Sequence, residues 1–254
     1  MISFRELLGR ERAALGTWVK LPVVESAELM ALAGFDFIVL DLEHSPMSLE
    51  TASTIIAVAR GRGICPLVRV PDHSQSWIQR CLDAGASGIL APHVDTVNEA
   101  RAVVRAARFE PHGTRGVGTT SRAGNWGLTP MKQYLAEGLE AVVIAQIESD
   151  TGVQNSQAIA VDGKVDALFV GPADLSVSLG VSGEDPALTS RIRHVVDQCR
   201  EASLPCGTAI GADPDRAAAL VKEGFSFVMV SNDTTMLGAG AAQLVERFRT
   251  SCGF

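Results

Sequence analysis

The sequence predicts an α/β protein built as a single (β/α)8 barrel, a TIM barrel occupying residues 1–254. Three observations predict it. Short apolar, β-branched runs alternate with helix-length segments from end to end, no shift of composition divides the 254 residues, and the first run lacks the glycine-rich turn of a dinucleotide-binding open sheet. Parallel strands are covered on both faces, so they read as continuous apolar runs. A single barrel commonly reaches this length.

Eight runs fit such strands: GTWVKL (16–21), FDFIVLDLE (35–43), CPLVRV (65–70), GILAPHV (88–94), AVVIAQIE (141–148), ALFVGPAD (167–174), PCGTAI (205–210) and FSFVMVSND (225–233). Between them lie amphipathic segments, among them VESAELMALAG, LETASTIIAVARGRG, NEARAVVRAAR, SRIRHVVDQCREAS and DPDRAAALVKEG. Gly34, Gly85 and Gly224 stand where helices must stop before the next strand. The connection at 109–134, FEPHGTRGVGTTSRAGNWGLTPMKQY, exceeds an ordinary link between helix and strand and is rich in Gly, Thr and Arg. Loops of that length are usually functional or disordered.

Composition narrows the function classes. Lys plus Arg is 22 against 29 Asp plus Glu, a net charge of −7 with no basic cluster, which argues against nucleic acid and anionic membranes as partners. No apolar stretch approaches the roughly 18 residues of a membrane span, and the N-terminal residues alternate charges with leucines, so a soluble cytoplasmic protein is expected. Five scattered cysteines without a C-x-x-C motif suggest neither a zinc cluster nor a disulfide framework.

Barrel enzymes place their chemistry at the C-terminal ends of the strands. There the sequence puts Asp41, Glu43 and His44 after the second run, Arg69 in the third, His93 near the end of the fourth, Gln146 and Glu148 on the fifth and Asp174 after the sixth. Gln146 and Glu148 are two apart on a strand and share a face. Glu148 and Asp174 hold equivalent places in consecutive units, about 4.8 Å between neighbouring strands, so both carboxylates can reach one point. A hard divalent ion such as Mg2+ or Mn2+ would join them, whereas the alternative has each acid capping the helix that follows it.

His44, in LEHSP, is suited to proton transfer near neutral pH or is an ordinary loop residue. Arg69 in an apolar run must face an anion, either a substrate oxyanion or an ion-pair partner at Asp41 or Glu43. In FVGPADLSVSLG, Gly171 and Pro172 shape a turn whose following backbone N–H groups suit a carboxylate, or simply make a tight turn. The lysine that Schiff-base chemistry needs is not evident, since Lys132, Lys164 and Lys222 lie outside the runs and Lys20 lies in the first.

Together AGFDFIVLDLEHSP (33–46), PLVRVP (66–71), LDAGASGILAPHV (82–94), RFEPHGTRGVG (108–118), AQIESDTGV (145–153), LFVGPADLSVSLG (168–180) and SNDTTML (231–237) make a specific set covering nearly the whole chain. The set resembles the HpcH/HpaI aldolases, class II metal-dependent 2-oxo acid aldolases of the 4-hydroxy-2-oxoheptanedioate aldolase type. The resemblance implies reversible cleavage of 4-hydroxy-2-oxo acids to pyruvate, or hydroxypyruvate, plus an aldehyde through a metal-stabilised enolate. It implies Glu148 and Asp174 as metal ligands for Mg2+ or Mn2+, with Co2+ as a further candidate. Gln146, Ala173 and Asp174 would hold the small-molecule 2-oxo acid, His44 would be the acid/base, and Arg69 would stabilise the enolate. Asp83 would pair with the histidine.

Relatives assemble as hexamers, often exchanging a C-terminal helix, so a homo-oligomer is expected, with the 109–134 loop within reach of a neighbouring site. His93 stands where many members carry an apolar residue, which leaves the aldehyde open. A citrate lyase-like acyl-CoA lyase, an oxaloacetate decarboxylase and a non-catalytic 2-oxo acid binding protein are the competing readings.

Overall fold

The computed structural model describes residues 3–253. Strands β1 (Ala14–Val19), β2 (Phe37–Asp41), β3 (Cys65–Arg69), β4 (Gly88–Ala91), β5 (Val142–Ile147), β6 (Ala167–Val170), β7 (Cys206–Ile210) and β8 (Phe227–Asn232) are all parallel and close in chain order, β8 pairing with β1. Parallel neighbours need crossovers, and the intervening helices supply them. They are α2 (Val24–Ala33), α3 (Leu49–Arg62), α4 (Gln75–Asp83), α5 (Val97–Ala107), α7 (Asp150–Asp162), α8 (Pro172–Leu179), α9 (Pro186–Glu201) and α10 (Pro214–Glu223).

Among the described residues three further α-helices lie outside that alternation: α1 (Phe4–Leu8), α6 (Met131–Glu137) and α11 (Asp233–Cys252). Ser3 and Glu6 close α1 with reciprocal cap bonds, and its Phe4 stops the lower end of the barrel edge-on against Phe37 and Phe227, with ring centroids 4.9 and 5.4 Å away.

The apolar core has two parts. An outer layer packs helices on strands, and an inner one fills the barrel with Phe37, Leu67, Leu90, Ile144, Phe169 and Phe227. The bulk of these rings explains two glycines. A Cβ at Gly16 would lie 2.3 Å from the Phe37 ring and one at Gly207 2.1 Å from Phe227.

The predicted runs overshoot the strands at their C-terminal ends. Pro92 and Pro172 have no N–H for the ladder, so the chain leaves the sheet after Ala91 and Val170, and Asp174 falls in the first turn of α8. Gly34 and Gly224 end α2 and α10 in the left-handed conformation. The long connection is ordered against α4. Gly116 N–H donates to Gln79 Oε1 at 3.0 Å and Ala123 N–H to the Asp83 carbonyl at 3.1 Å.

Candidate active site

Side chains alternate in and out along a strand, so the inward row continues past the packed core to the upper mouth. On β5 the row runs Val142, Ile144, Gln146 and then Glu148; on β2 it runs Phe37, Val39, Asp41 and then Glu43; on β3 it is Cys65, Leu67 and Arg69. Apolar residues fill the lower layers and polar ones the top. A cavity of about 700 Å3 opens there, bounded by His44, Arg69, Gln146, Ala173 and Asp174.

Asp41 and Arg69 face each other in the β2–β3 register. Arg69 Nε donates to Asp41 Oδ1 at 2.9 Å and Nη2 to Oδ2 at 2.7 Å, while Nη1 lies 3.1 Å from Glu43 Oε2 and the guanidinium sits 4.4 Å from the centre of the Trp18 ring. The ion-pair reading of Arg69 therefore holds, and the same guanidinium still borders the cavity. Asp41 is wholly buried. Burial raises its pKa, but the Arg69 hydrogen bonds and charge, Lys20 and the His44 N–H outweigh that and bring it to about 2. Its Oδ1 also accepts the backbone N–H groups of Glu43 and His44 at 3.2 and 3.1 Å, folding the loop that presents the His44 imidazole to the cavity.

Glu148 is 3% exposed and held from three sides. His93 approaches Oε1 twice, with its backbone N–H at 2.7 Å and its Nδ1 at 2.9 Å, and Gln146 Nε2 donates to Oε2. His93 reaches this position through a left-handed backbone, φ 52°, and its Nε2 lies 3.3 Å from Glu43 Oε1, linking the two carboxylates. Burial pushes the Glu148 carboxyl above the ordinary range, and the charge of Asp174 adds to it against the His93 and Gln146 contacts.

The capping alternative fails for Glu148, because Ser149 caps α7 by accepting from Gly152 N–H at 2.9 Å. Asp174 lies in the first turn of α8, whose cap residue is Gly171. A Cβ at Gly171 would stand 3.0 Å from Glu148 Oε2 and from Gln146 Nε2, so this glycine lets the chain pass close to the acids.

Two residues stand away from their companions in the sequence reading, and one of them, Lys20, corrects an expectation. Asp83 ends α4 at the lower end of the barrel, where Arg115 Nη2 binds its carboxylate at 2.6 Å, and it does not meet His44 within the chain. Helices return antiparallel to the strands, so a helix C-terminus lies at the opposite end from the mouth. Within the chain a carboxylate that lies near His44 is Glu43, 3.8 Å from Nε2. Lys20 is not inside the first strand. It follows β1, borders the cavity and places Nζ 2.7 Å from Asp41 Oδ2. The period-two row Gly16, Trp18, Lys20 carried that signal.

The donors facing Asp174 and Glu148 fit a hard cation. Glu148, Asp174 and the Gln146 amide would offer it oxygens, the His93 ring nitrogen near Glu148 facing the carboxylate itself at 2.9 Å; the charge of Asp174 acts against that of Glu148, and the buried Gln146 Oε1 meets no hydrogen-bond partner.

Known proteins share this architecture and sequence. The HpcH/HpaI aldolase/citrate lyase family model matches residues 14–239. A 5-keto-4-deoxy-D-glucarate aldolase from Salmonella arizonae is 34% identical over 250 residues, covering 97% of this chain and 96% of that protein. Among solved structures, an HpcH/HpaI aldolase/citrate lyase family protein from Burkholderia cenocepacia superposes with a TM-score of 0.91 at 30% identity, covering 98% of this chain and all of the other. The HpcH/HpaI aldolase from Desulfitobacterium hafniense gives 0.93 at 27% identity, covering 98% of this chain and 97% of its own. The chain belongs to the HpcH/HpaI aldolase/citrate lyase family, enzymes of the carbon–carbon lyase class.

Proposed function

We propose that the protein catalyses the reversible aldol cleavage of a 4-hydroxy-2-oxo acid to pyruvate or hydroxypyruvate and an aldehyde, with a divalent cation held by Glu148 and Asp174. The observation that carries this reading is the unpartnered, buried Gln146 Oε1 next to that carboxylate pair, in a cavity that also presents Arg69 and His44. When bound, Mg2+ or Mn2+, or alternatively Co2+, would polarise the 2-keto oxygen and lower the cost of enolate formation.

The chain's own groups account for the remaining steps. Gln146 and the α8 N-terminus at Ala173 orient the 2-oxo acid, the helix end favouring its carboxylate. His44, exposed in the cavity, takes the C4 hydroxyl proton as the C3–C4 bond breaks and the aldehyde leaves. Charge then develops on the former keto oxygen, where Arg69 is already oriented by Asp41 and Glu43 and needs no reorganisation. Asp83 lies too far below to assist within one chain, so a role for it with His44 requires a neighbouring copy, consistent with a hexamer.

Purified protein incubated with candidate donors and aldehydes tests the reading, with products identified by NMR. Activity is expected to vanish in EDTA and return with Mg2+ or Mn2+. Full activity in chelator would refute the metal, and release of CO2 or a CoA thioester instead of aldehyde would refute aldol cleavage.

A further inference from the structure

A second cavity, of about 440 Å3, lies at the lower end of the barrel. Its walls come from three segments: the second half of α5 with the chain that follows it, the turn before β5 and the turn before β6. Helices return antiparallel to the strands, so the C-terminus of α5 and the N-terminal ends of β5 and β6 meet at the end opposite the mouth. Arg101, Arg105, Arg108, His112 and Lys164 border this cavity, and among the described residues no carboxylate does. The chain as a whole carries −7 and no stretch of it is basic, so only folding makes this concentration of positive charge.

Two of the five groups are already answered. Arg108, buried, donates through Nη2 to Asp166 Oδ2 at 2.7 Å and through Nη1 to the Ala141 carbonyl. Arg101 Nε donates to the Asp162 carbonyl at 2.9 Å, and its Nη2 lies 3.8 Å from the Asp162 carboxylate. Among the described residues the Arg105 guanidinium, the His112 ring and the Lys164 ammonium have no hydrogen bond or ion pair. Arg105 also suits the carbonyl end of α5, whose last turn it occupies. That explanation leaves out His112 and Lys164, which stand in loops, Lys164 in a left-handed backbone with φ 63°. Burial lowers the Arg108 pKa, and the charges of Arg5 and Arg115 add to that against Asp166, as expected where positive charge is crowded.

Unanswered cations around a concave surface suit an anion with several acceptor oxygens and more than one charge, and guanidinium forks match phosphate oxygens. We propose that this cavity binds the phosphate groups of a small molecule, either a free polyphosphate or a phosphate ester. Val104 and Leu139 give it an apolar wall that a bare anion does not use, so an ester with an organic part is the better fit. The site is independent of the aldolase reading and of the divalent cation at the mouth.

Calorimetry on the full chain, freed of divalent metal so that chelation gives no heat, tests this with pyrophosphate and ADP as probes. One anion per chain is expected, with ADP the tighter and affinity falling as salt rises. Arg105→Gln and Lys164→Gln keep most of the side-chain stem at exposed positions, and each is expected to weaken binding about tenfold, the scale of one charge-assisted contact. Lys222→Gln makes the same charge change at an exposed position on α10 and is expected to leave affinity unchanged. Binding of ADP supports the site and assigns it to an ester, and binding of pyrophosphate alone supports it and assigns it to the free anion. No binding of either probe at millimolar concentration, full affinity in both Arg105→Gln and Lys164→Gln, or an equal loss in Lys222→Gln overturns it.

Discussion

Glu148 is a buried carboxylate whose two oxygens are both fixed by neighbouring residues. Its Oε1 accepts the His93 N–H and lies 2.9 Å from His93 Nδ1, while its Oε2 accepts from Gln146 Nε2 and is the oxygen that the proposed function assigns to the cation. Replacing Glu148 or Asp174 by Ala should abolish cleavage, and Arg69→Ala should cost about 100-fold or more in kcat, as for loss of an oxyanion donor. His93→Ala removes a group that orients a ligand rather than the ligand itself, so metal affinity measured by calorimetry should fall about tenfold.

Asp41 makes a different prediction at the same scale. Its pKa drops from the ordinary 3.8 to about 2 on folding, so its carboxylate stabilises the fold fully above the ordinary value, and that contribution is lost as pH falls through both. The effect is on the order of 2 kcal/mol at neutral pH. Denaturant unfolding from pH 6 to pH 2 (roughly the span of this titration) should show the wild type losing stability over the acid end, and Asp41→Asn should flatten that portion of the curve.

Elements are set by what their residues must avoid as much as by what they favour. Strand β4 ends where Pro92 follows, β6 ends one residue before Gly171 leads into Pro172 at the start of α8, and Ser149 caps α7 with its hydroxyl, releasing Glu148 from that duty. Strand β7 passes close to the Phe227 ring only because Gly207 has no Cβ. Gly207→Ala should therefore lower stability by about 1 to 3 kcal/mol through overpacking, seen as a reduced denaturation midpoint. The apolar runs and glycine stops were legible in sequence because each is local. Helix α1 was not, since five residues carry too short a period, and its cap box and Phe4 have meaning only against the barrel floor.

At the scale of the molecule, α11 stands apart. Asp233 is its buried residue among those described, while Leu237, Leu244 and Val245 are exposed. We propose that this exposed apolar face packs against another copy of the chain. Light scattering should find a homo-oligomer, with a hexamer expected, and removal of residues 237–254 should reduce its mass. A wild-type monomer would contradict this.

The sequence by itself determined the strand order, the closed parallel barrel and the strand-end positions of His44, Arg69, Gln146, Glu148 and Asp174. Periodicity and chain order are properties of short segments, and a barrel assigns every strand end to the same face. Tertiary structure alone decided who meets whom. It paired Arg69 with Asp41 and Glu43, joined Glu43 to Glu148 through His93, brought Lys20 and Ser231 to the same cavity, and kept Asp83 at the far end with Arg115. Those contacts depend on register between strands and on single left-handed residues at their ends, which no local pattern encodes.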